Sequence, residues 1–180
     1  MAVIHSNTRS GGFTLVELMM TLLIAAVLLG IGVPGLASLM ERNRLQSAAD
    51  TLFTGMMLTR SEALKRNREV TLCKSSTGTG CTSSAQWHQG WLVYTDTDND
   101  SAADPNEILR VEGPLKNGDT LFVSGSDFAN DLTYTMDGSA SGTGTFVFCN
   151  AAGDNEFGRE VRVELTGRPR IKTSTTDCTP

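Results

Sequence analysis

The stretch that decides the fold is Gly12-Phe13-Thr14-Leu15-Val16-Glu17, and a nearly continuous apolar run follows it as far as Met40. A helix needs about 20 apolar residues to cross the hydrocarbon core of a bilayer. The segment from Phe13 to Met40 supplies them, with Glu17 as its only charged residue. A carboxylate at membrane depth is costly without a partner, so Glu17 is a candidate functional residue. We expect its partner to be the free amine that a cut between Gly12 and Phe13 would create.

The residues before this cut do not form an ordinary secretory signal. Met1–Gly12 is short and polar, and it contains His5 and Arg9. An ordinary signal peptide has its apolar region before the small-residue cleavage site and loses that region on cleavage. Here Gly11 and Gly12 precede the apolar run, so cleavage would leave the hydrophobic segment on the mature chain. The alternative is an unprocessed membrane anchor, and both the order of the elements and Glu17 argue against it.

Beyond Pro34 the helical pattern becomes amphipathic. A helix from Phe13 to about Arg66 would be roughly 80 Å long at 1.5 Å per residue. Pro34 and Gly35 should kink this helix or melt it locally. Apolar residues recur at steps of three or four, with one doubled step, and they are Leu45, Ala48, Leu52, Met56 and Ala63.

From Glu69 onward, short alternating runs separated by turn residues predict an antiparallel sheet. The Ser- and Gly-rich clusters 75–80 and 138–144 are hairpin loops rather than linkers, since each strand is too short to bury a face alone. The predicted fold is therefore α+β, a long N-terminal helix packed on an antiparallel β-sheet domain. The candidate strands are Val70–Cys73, Trp91–Tyr94, Ile108–Glu112, Leu121–Ser124, Leu132–Met136, Thr145–Cys149 and Val161–Leu165.

These patterns divide the chain into four segments. They are a leader at 1–12, a transmembrane or filament-core helix at 13–40, an amphipathic helix at 41–68, and a β-rich domain at 69–180 that ends in a basic tail. The chain of 180 residues carries a net charge of −5, and loss of Arg9 with the leader would make it more acidic by one unit. The net negative charge alone argues against nucleic-acid binding. The distribution of the charges along the chain does not argue against it.

Four cysteines lie in the domain that we expect outside the cytoplasm, and an even number there indicates disulfides. Cys73 and Cys81 bracket one loop, so we expect them to pair with each other. Cys149 and Cys178 would then tie the C-terminal tail to the last part of the sheet. Zinc is the alternative, but neither spacing has the C-x-x-C form and His88 is the only histidine outside the leader. We therefore predict two disulfides, no metal site and no cofactor.

The Gly12–Glu17 motif and its apolar helix resemble the class III signal of type IV pilins and of type II secretion pseudopilins. The resemblance implies cleavage after Gly12 by a prepilin peptidase and N-methylation of Phe13. It also implies that Glu17 neutralises the N-terminal amine of a neighbouring subunit during assembly. The chain would be held in the inner membrane by a single span, with its domain in the periplasm. It would then enter an extracellular filament with other minor and major pilins.

The middle of the domain resembles the soluble domain of the FimT, FimU and GspH group, which comprises minor pilins and the minor pseudopilin of type II secretion. We expect Trp87 and Trp91 to be core or edge aromatics, because two tryptophans without nearby basic residues make a poor groove for a single strand. The resemblance rests on residues 73–76, Cys81, Trp87, residues 90–94, Asp96 and residues 108–111.

An acidic segment allows two interpretations. Its carboxylates occupy the first, third, fifth, ninth and twelfth positions of an EF-hand-like calcium loop. Against calcium, Ser101 replaces the turn glycine and the flanking segments are predicted strands rather than helices. These departures favour an acidic, solvated hairpin tip over a calcium site. The residues are Asp96, Asp98, Asp100, Asp104 and Glu107.

The sharpest functional pattern is Gly167-Arg168-Pro169-Arg170-Ile171-Lys172 near the C-terminus. In an extended chain, residues two apart share one face, so Arg168, Arg170 and Lys172 would project together about 6.6 Å apart. Pro169 has no N–H to give to a β-ladder, which favours an edge strand or a free tail. A row of cations on such a segment suits phosphate contacts that carry little sequence information.

The tail residues Gly167-Arg168-Pro169-Arg170 resemble the GRxR motif of FimT-type minor pilins, and the chain as a whole is most similar to these. That resemblance implies DNA binding for natural transformation, through Arg168 and Arg170 within the motif that Gly167 begins. Lys172 would assist, and so would Arg159 or Arg162. The alternative is that these cations form ion pairs with Glu160, Glu164 or a neighbouring subunit.

Three classes of function follow from these patterns. The first is a minor pilin of a type IV pilus that helps assembly and binds DNA, and the second is a minor pilin for priming, adhesion or motility alone. The third is a GspH-like minor pseudopilin of type II secretion. We do not expect an enzyme, because only His88 outside the leader could act as a base at neutral pH and no nucleophile is placed beside it.

Overall fold

The computed structural model describes residues 12–125 and 127–178 of the chain. Most of the predicted leader, residues 1–11, therefore lies outside the described residues. Helix α1 covers Leu15–Arg66, and two short 3₁₀-helices cover Trp87–Gln89 and Asn155–Phe157. The described strands are β1 Val70–Lys74, β2 Trp91–Tyr94, β3 Ile108–Glu112, β4 Thr120–Ser124, β5 Asp131–Tyr134, β6 Gly144–Cys149, β7 Arg159–Val163 and β8 Arg170–Thr173.

The strands form two antiparallel sheets of four strands each. The first sheet has the order β3-β2-β1-β5, and the second has the order β4-β6-β7-β8. The α+β class with a long N-terminal helix on antiparallel sheets is confirmed, whereas the division into two sheets is not predicted from the sequence. β5 ends at Tyr134 instead of continuing to Met136, because a turn with Gly138 at φ +79° follows. β8 is an additional strand, formed by the basic tail.

The first part of α1 belongs to a compact unit that ends at Met40. It is long and apolar enough to cross a membrane. The large apolar side chains described between Leu15 and Met40 are exposed, as are Phe13 and Glu17. The helix continues through Pro34 and Gly35, so it does not melt at this pair, and the alternative of a kink there stays a prediction.

The second unit begins at Glu41, and its part of α1 packs on the sheets. The buried helix residues are spaced as in an amphipathic helix, with the predicted Ala48 only partly buried and Ala49 fully buried beside it. Trp87 and Trp91 are both buried core residues, as predicted, and Trp87 meets Phe146 edge-to-face at a centroid distance of 5.0 Å. The fully buried apolar side chains of the helix are Leu45, Ala49, Leu52, Met56 and Ala63.

Both predicted disulfides form. Cys73 bonds Cys81 within one loop, and Cys149 at the end of β6 bonds Cys178. The Cys178 backbone N–H also donates to the Asn155 side-chain oxygen at 2.7 Å. The C-terminal segment after β8 is therefore tied both to β6 of the second sheet and to the 3₁₀-helix that precedes β7.

Candidate nucleic-acid interface

The basic tail forms β8 at one edge of the second sheet. β8 pairs only with β7 and is therefore an edge strand. An edge position is one of the two predicted from Pro169, which has no N–H to donate to a β-ladder. Gly167 and Pro169 are buried, whereas Arg168, Arg170 and Lys172 are exposed. The tail thus presents three cations at alternate positions to solvent, with Arg170 and Lys172 on β8 and Arg168 two residues before it.

Gly167 has a structural role at the start of this segment. Its φ is +70°, and a Cβ built on it would lie 2.1 Å from the Gly138 carbonyl oxygen and 3.0 Å from the Tyr134 ring. Its own N–H donates to the Glu164 carbonyl at 2.8 Å and closes the turn between β7 and β8. A residue with a side chain would be strained here and would also collide with the loop after β5. Gly167 therefore positions the cations and offers no side chain to a ligand.

The loop between β5 and β6 fastens this turn to the rest of the domain. The Arg60 guanidinium of α1 donates to the Gly138 carbonyl at 2.8 Å, and the Ala140 N–H donates to the Leu165 carbonyl at 3.0 Å. Tyr134 is fully buried beside them, and burial raises the pKa of its hydroxyl. The start of β8 is thus held by contacts from the helix and from the end of the first sheet.

The two assisting arginines considered from the sequence lie on opposite faces of β7. Arg159 turns towards α1, where it donates to the Gln46 side-chain oxygen at 2.9 Å and to the Phe157 and Gly158 carbonyls. Arg162 is exposed on the other face, where its nearest described carboxylate is Glu164, at 3.6 Å. Only Arg162 is therefore free to join the cations of β8.

The acidic segment forms the loop between β2 and β3. The carboxylates form two overlapping triads, Asp96, Asp98 and Glu107 in one and Asp98, Asp100 and Asp104 in the other, each with oxygens within 4.8 Å of one another. The loop also satisfies these groups internally, since Asp96 accepts the backbone N–H groups of residues 99, 100 and 101.

Glu107 joins the two ends of this loop through hydrogen bonds to Thr97. It is buried and accepts the Thr97 N–H at 2.5 Å and the Thr97 hydroxyl. These hydrogen bonds hold the pKa of the Glu107 carboxyl below its usual range, whereas desolvation raises the pKa of Asp98. No further feature of the described chain points to an ion, and calcium binding stays a hypothesis from the sequence.

The N-terminal motif begins α1 as a capped helix. The Glu17 N–H donates to the Thr14 hydroxyl at 3.3 Å, which is the N-cap contact of a Thr-x-x-Glu capping sequence. A carboxylate in the first helical turn is also stabilised by the helix dipole. Within residues 12–125 and 127–178, the Glu17 side chain has no ion-pair partner, which leaves it available to a group from outside the chain.

Solved structures share this combination of helix and sheets. The minor pilin FimU of Pseudomonas aeruginosa superposes with a TM-score of 0.59 at 23% identity, and the match covers 76% of this chain and 94% of that chain. The minor pseudopilin EpsH of the Vibrio cholerae type II secretion system gives a TM-score of 0.56 at 12% identity, covering 74% and 99% of the two chains. At these identities the likeness establishes the type IV pilin fold alone.

Sequence comparison then gives the family. The family described as type II transport protein GspH matches residues 48–167, and the prokaryotic N-terminal methylation motif matches residues 7–33. The pilin-like protein PilA1 of Thermus thermophilus is 35% identical over 96 residues, which are 53% of this chain and 54% of that protein. The chain thus spans about half the length of this relative.

The fold and the N-terminal motif define a pilin-like filament subunit. More narrowly, the chain belongs to the family described as type II transport protein GspH. The apolar helix and the methylation motif indicate a membrane-anchored protein of pilin type.

Proposed function

We propose that this protein is a FimT-type minor pilin of a type IV pilus, which helps filament assembly and binds DNA during uptake for natural transformation. The observation that carries the DNA-binding part is the exposed row Arg168, Arg170 and Lys172, of which the last two lie on the edge strand β8. None of the three has an ion pair or side-chain hydrogen bond within the described residues. Free cations on a rigid strand are suited to phosphate oxygens.

The rest of the proposal concerns the path into the filament. A prepilin peptidase would cut after Gly12, and Phe13 would be N-methylated. The span 13–40 would hold the subunit in the inner membrane with its domain in the periplasm. Glu17, which has no ion-pair partner within the described chain, would then neutralise the Phe13 amine of a neighbouring subunit.

Few phosphate contacts mean weak, salt-sensitive binding. Each neutralised phosphate contributes a slope of about −0.9 to the logarithm of the binding constant against that of salt, so three contacts give about −2.7. Affinity for duplexes of unrelated sequence should be equal and in the micromolar range or weaker, by the usual strength of non-specific contacts. Several such subunits, or other DNA-binding pilins in one filament, would raise the avidity.

The test uses the full chain in an uncharged detergent and two fluorescent duplexes of unrelated sequence. Wild type should bind both equally, and the double substitution Arg168→Gln with Arg170→Gln should remove binding while the thermal unfolding curve is unchanged. Arg110→Gln is the matched control, because this arginine pairs with Glu112 at 2.5 Å on the first sheet. Equal binding by the double variant and the wild type would reject the DNA function.

A minor pseudopilin of type II secretion is the second candidate. The GspH match over residues 48–167 and the fold shared with EpsH favour it. A deletion strain separates the two candidates, since loss of a pilus subunit lowers piliation and transformation. Loss of a pseudopilin instead leaves exoproteins in the periplasm. Secretion loss with normal transformation would select the second candidate.

A further inference from the structure

We infer that DNA runs across the strands of the second sheet, over Arg170 and Arg162, and not along β8 towards Lys172. This inference rests on the proposed DNA binding and specifies which residues carry it. In this arrangement Arg162, which lies outside the tail motif, is a principal phosphate contact, and Lys172 contributes little. The term cross-strand row is used below for Ser124, Thr145, Arg162 and Arg170.

The first step is the register of the sheet. Ser124 pairs with Thr145 and Thr145 with Arg162, which in turn pairs with Arg170. Directly paired residues in an antiparallel sheet share a face, and adjacent strands lie about 4.8 Å apart. The cross-strand row therefore crosses the whole sheet on one face and consists of two hydroxyls followed by two guanidinium groups.

The second step is that this face is the outer one. Val161 is fully buried in the core, and its paired residue Ile171 packs against the same core. Because successive strand residues alternate between faces, Arg162 and Arg170 project away from the core. Both are exposed, and Ser124 is exposed as well, while Thr145 is partly buried. All four side chains in the row are hydrogen-bond donors.

The third step compares the charges that face each cation. Arg162 and Arg170 lie directly opposite each other, and like charges in such a pair are destabilising unless an anion lies between them. Arg162 also has the exposed Glu164 at 3.6 Å, a contact of the kind worth about 0–1 kcal/mol and open to exchange for a phosphate.

Lys172 is in a different position. It lies opposite Glu160, which is buried on the same face in the next row, with Val147 on its other side. A fixed carboxylate beside Lys172 offsets its field and repels a phosphate there, whereas no carboxylate is paired with Arg170. Once a phosphate replaces Glu164 beside Arg162, the positive charge on this face is therefore concentrated at Arg162 and Arg170, whereas Lys172 keeps the buried Glu160 opposite it.

The two possible paths predict opposite results for two single substitutions. With Arg168, Arg170 and Arg162 as contacts, Arg162→Gln should reduce the salt slope from about −2.7 to about −1.8, whereas Lys172→Gln should leave it near −2.7. The loss of one contact changes the slope by about 0.9. If the two proteins bind equally at 1 M salt, the variant should bind about eightfold more weakly at 0.1 M salt, because the two concentrations differ tenfold. If DNA instead runs along β8, Lys172→Gln should reduce the slope to about −1.8 and Arg162→Gln should leave it near −2.7.

Two further variants distinguish a charge contact from a structural effect. Arg162→Lys should keep the slope near −2.7, and Thr145→Lys should steepen it by about 0.9 because it adds a cation to the same row. All variants are measured as the full chain in uncharged detergent, with thermal unfolding as the check on folding and Arg110→Gln as the control.

The outcomes distinguish failure of the cross-strand path from failure of the proposed DNA binding. An unchanged slope for Arg162→Gln, together with a lower slope for Lys172→Gln, would overturn the cross-strand path and leave DNA binding intact. If the wild type binds neither duplex, the proposed function fails first and this inference fails with it. If Arg162→Gln unfolds the domain, the slopes of Lys172→Gln and Thr145→Lys decide between the two paths.

Discussion

At the scale of single residues, Gly167 shows that a position in a basic motif is fixed by packing. Its φ of +70° and the Gly138 oxygen 2.1 Å from a built Cβ both require glycine. We expect Gly167→Ala to lower the free energy of unfolding by more than about 1 kcal/mol, as measured by urea unfolding. DNA affinity should also fall although every charge is kept, because β8 begins at this turn.

Gly113 provides the matched control for this prediction. A Cβ built on Gly113 meets no atom within 4 Å, and its φ is not in the left-handed region. Gly113→Ala should leave the urea midpoint and the DNA affinity close to those of the wild type. Equal stability of Gly167→Ala and wild type would show that the Gly138 contact does not constrain the turn.

Glu107 should make the stability of the domain sensitive to acid. Hydrogen bonds from Thr97 lower the pKa of Glu107 in the folded state, so its contribution is complete above the unfolded pKa of about 4.3. The contribution is lost as the pH falls through the folded pKa. Urea midpoints at pH 7 and pH 3 should therefore differ more for wild type than for Glu107→Gln.

Two details sharpen the measurement on Glu107. Thr97→Val removes only the hydroxyl donor and keeps the backbone N–H, so its pH dependence should lie between those of wild type and Glu107→Gln. The pKa of Asp98 is raised, so this residue contributes in the opposite direction and limits the total effect. An identical pH dependence in all three proteins would contradict a role for Glu107 in acid stability.

At the scale of elements, one ion pair joins α1 to the start of β4. The Arg44 guanidinium donates to both oxygens of Asp119, each at 2.7 Å, and this hydrogen bonding raises the pKa of Arg44. Asp119 is only 4% exposed. We expect Arg44→Gln to destabilise the domain by about 1–3 kcal/mol, because it leaves a buried carboxylate without its bidentate partner.

The control for this pair is an exposed one on the same helix. Lys65 lies 3.5 Å from Glu62 on the surface, so Lys65→Gln should change stability by less than about 0.5 kcal/mol. The double variant Arg44→Gln with Asp119→Asn should recover part of the loss in a double-mutant cycle, since no unpaired buried charge remains. Additive effects of the two substitutions would indicate that the pair does not couple α1 to β4.

The sequence predicts these elements well where local pattern decides them. The helix and most strands follow from periodicity, and the pairing of Cys73 with Cys81 follows from the loop that they bracket. Long-range pairing decides the rest. No local sequence pattern indicates that β4 belongs to the second sheet, or that the tail pairs with β7. The opposite roles of Arg159 and Arg162 depend on that register, which is why both were equal candidates from the sequence.

At the scale of the whole molecule, the two ends of the chain should be separable in function. Glu17 is exposed in the first helical turn, and it lies in a different compact unit from Arg168 and Arg170. We therefore expect the proposed DNA site to be removable without changing the proposed assembly motif, and the reverse. Arg168→Gln with Arg170→Gln should reach sheared filaments at the wild-type level while transformation falls.

Glu17→Gln should have the opposite result in the same strain. The subunit should still be cleaved after Gly12 and held in the membrane, because an uncharged residue is tolerated there at least as well as a carboxylate. Its amount in sheared filaments should fall, since glutamine cannot neutralise the Phe13 amine of a neighbour. Purified Glu17→Gln protein should bind duplex DNA with the wild-type salt slope. Normal filament levels of this variant would show that the Glu17 carboxylate is not needed for assembly.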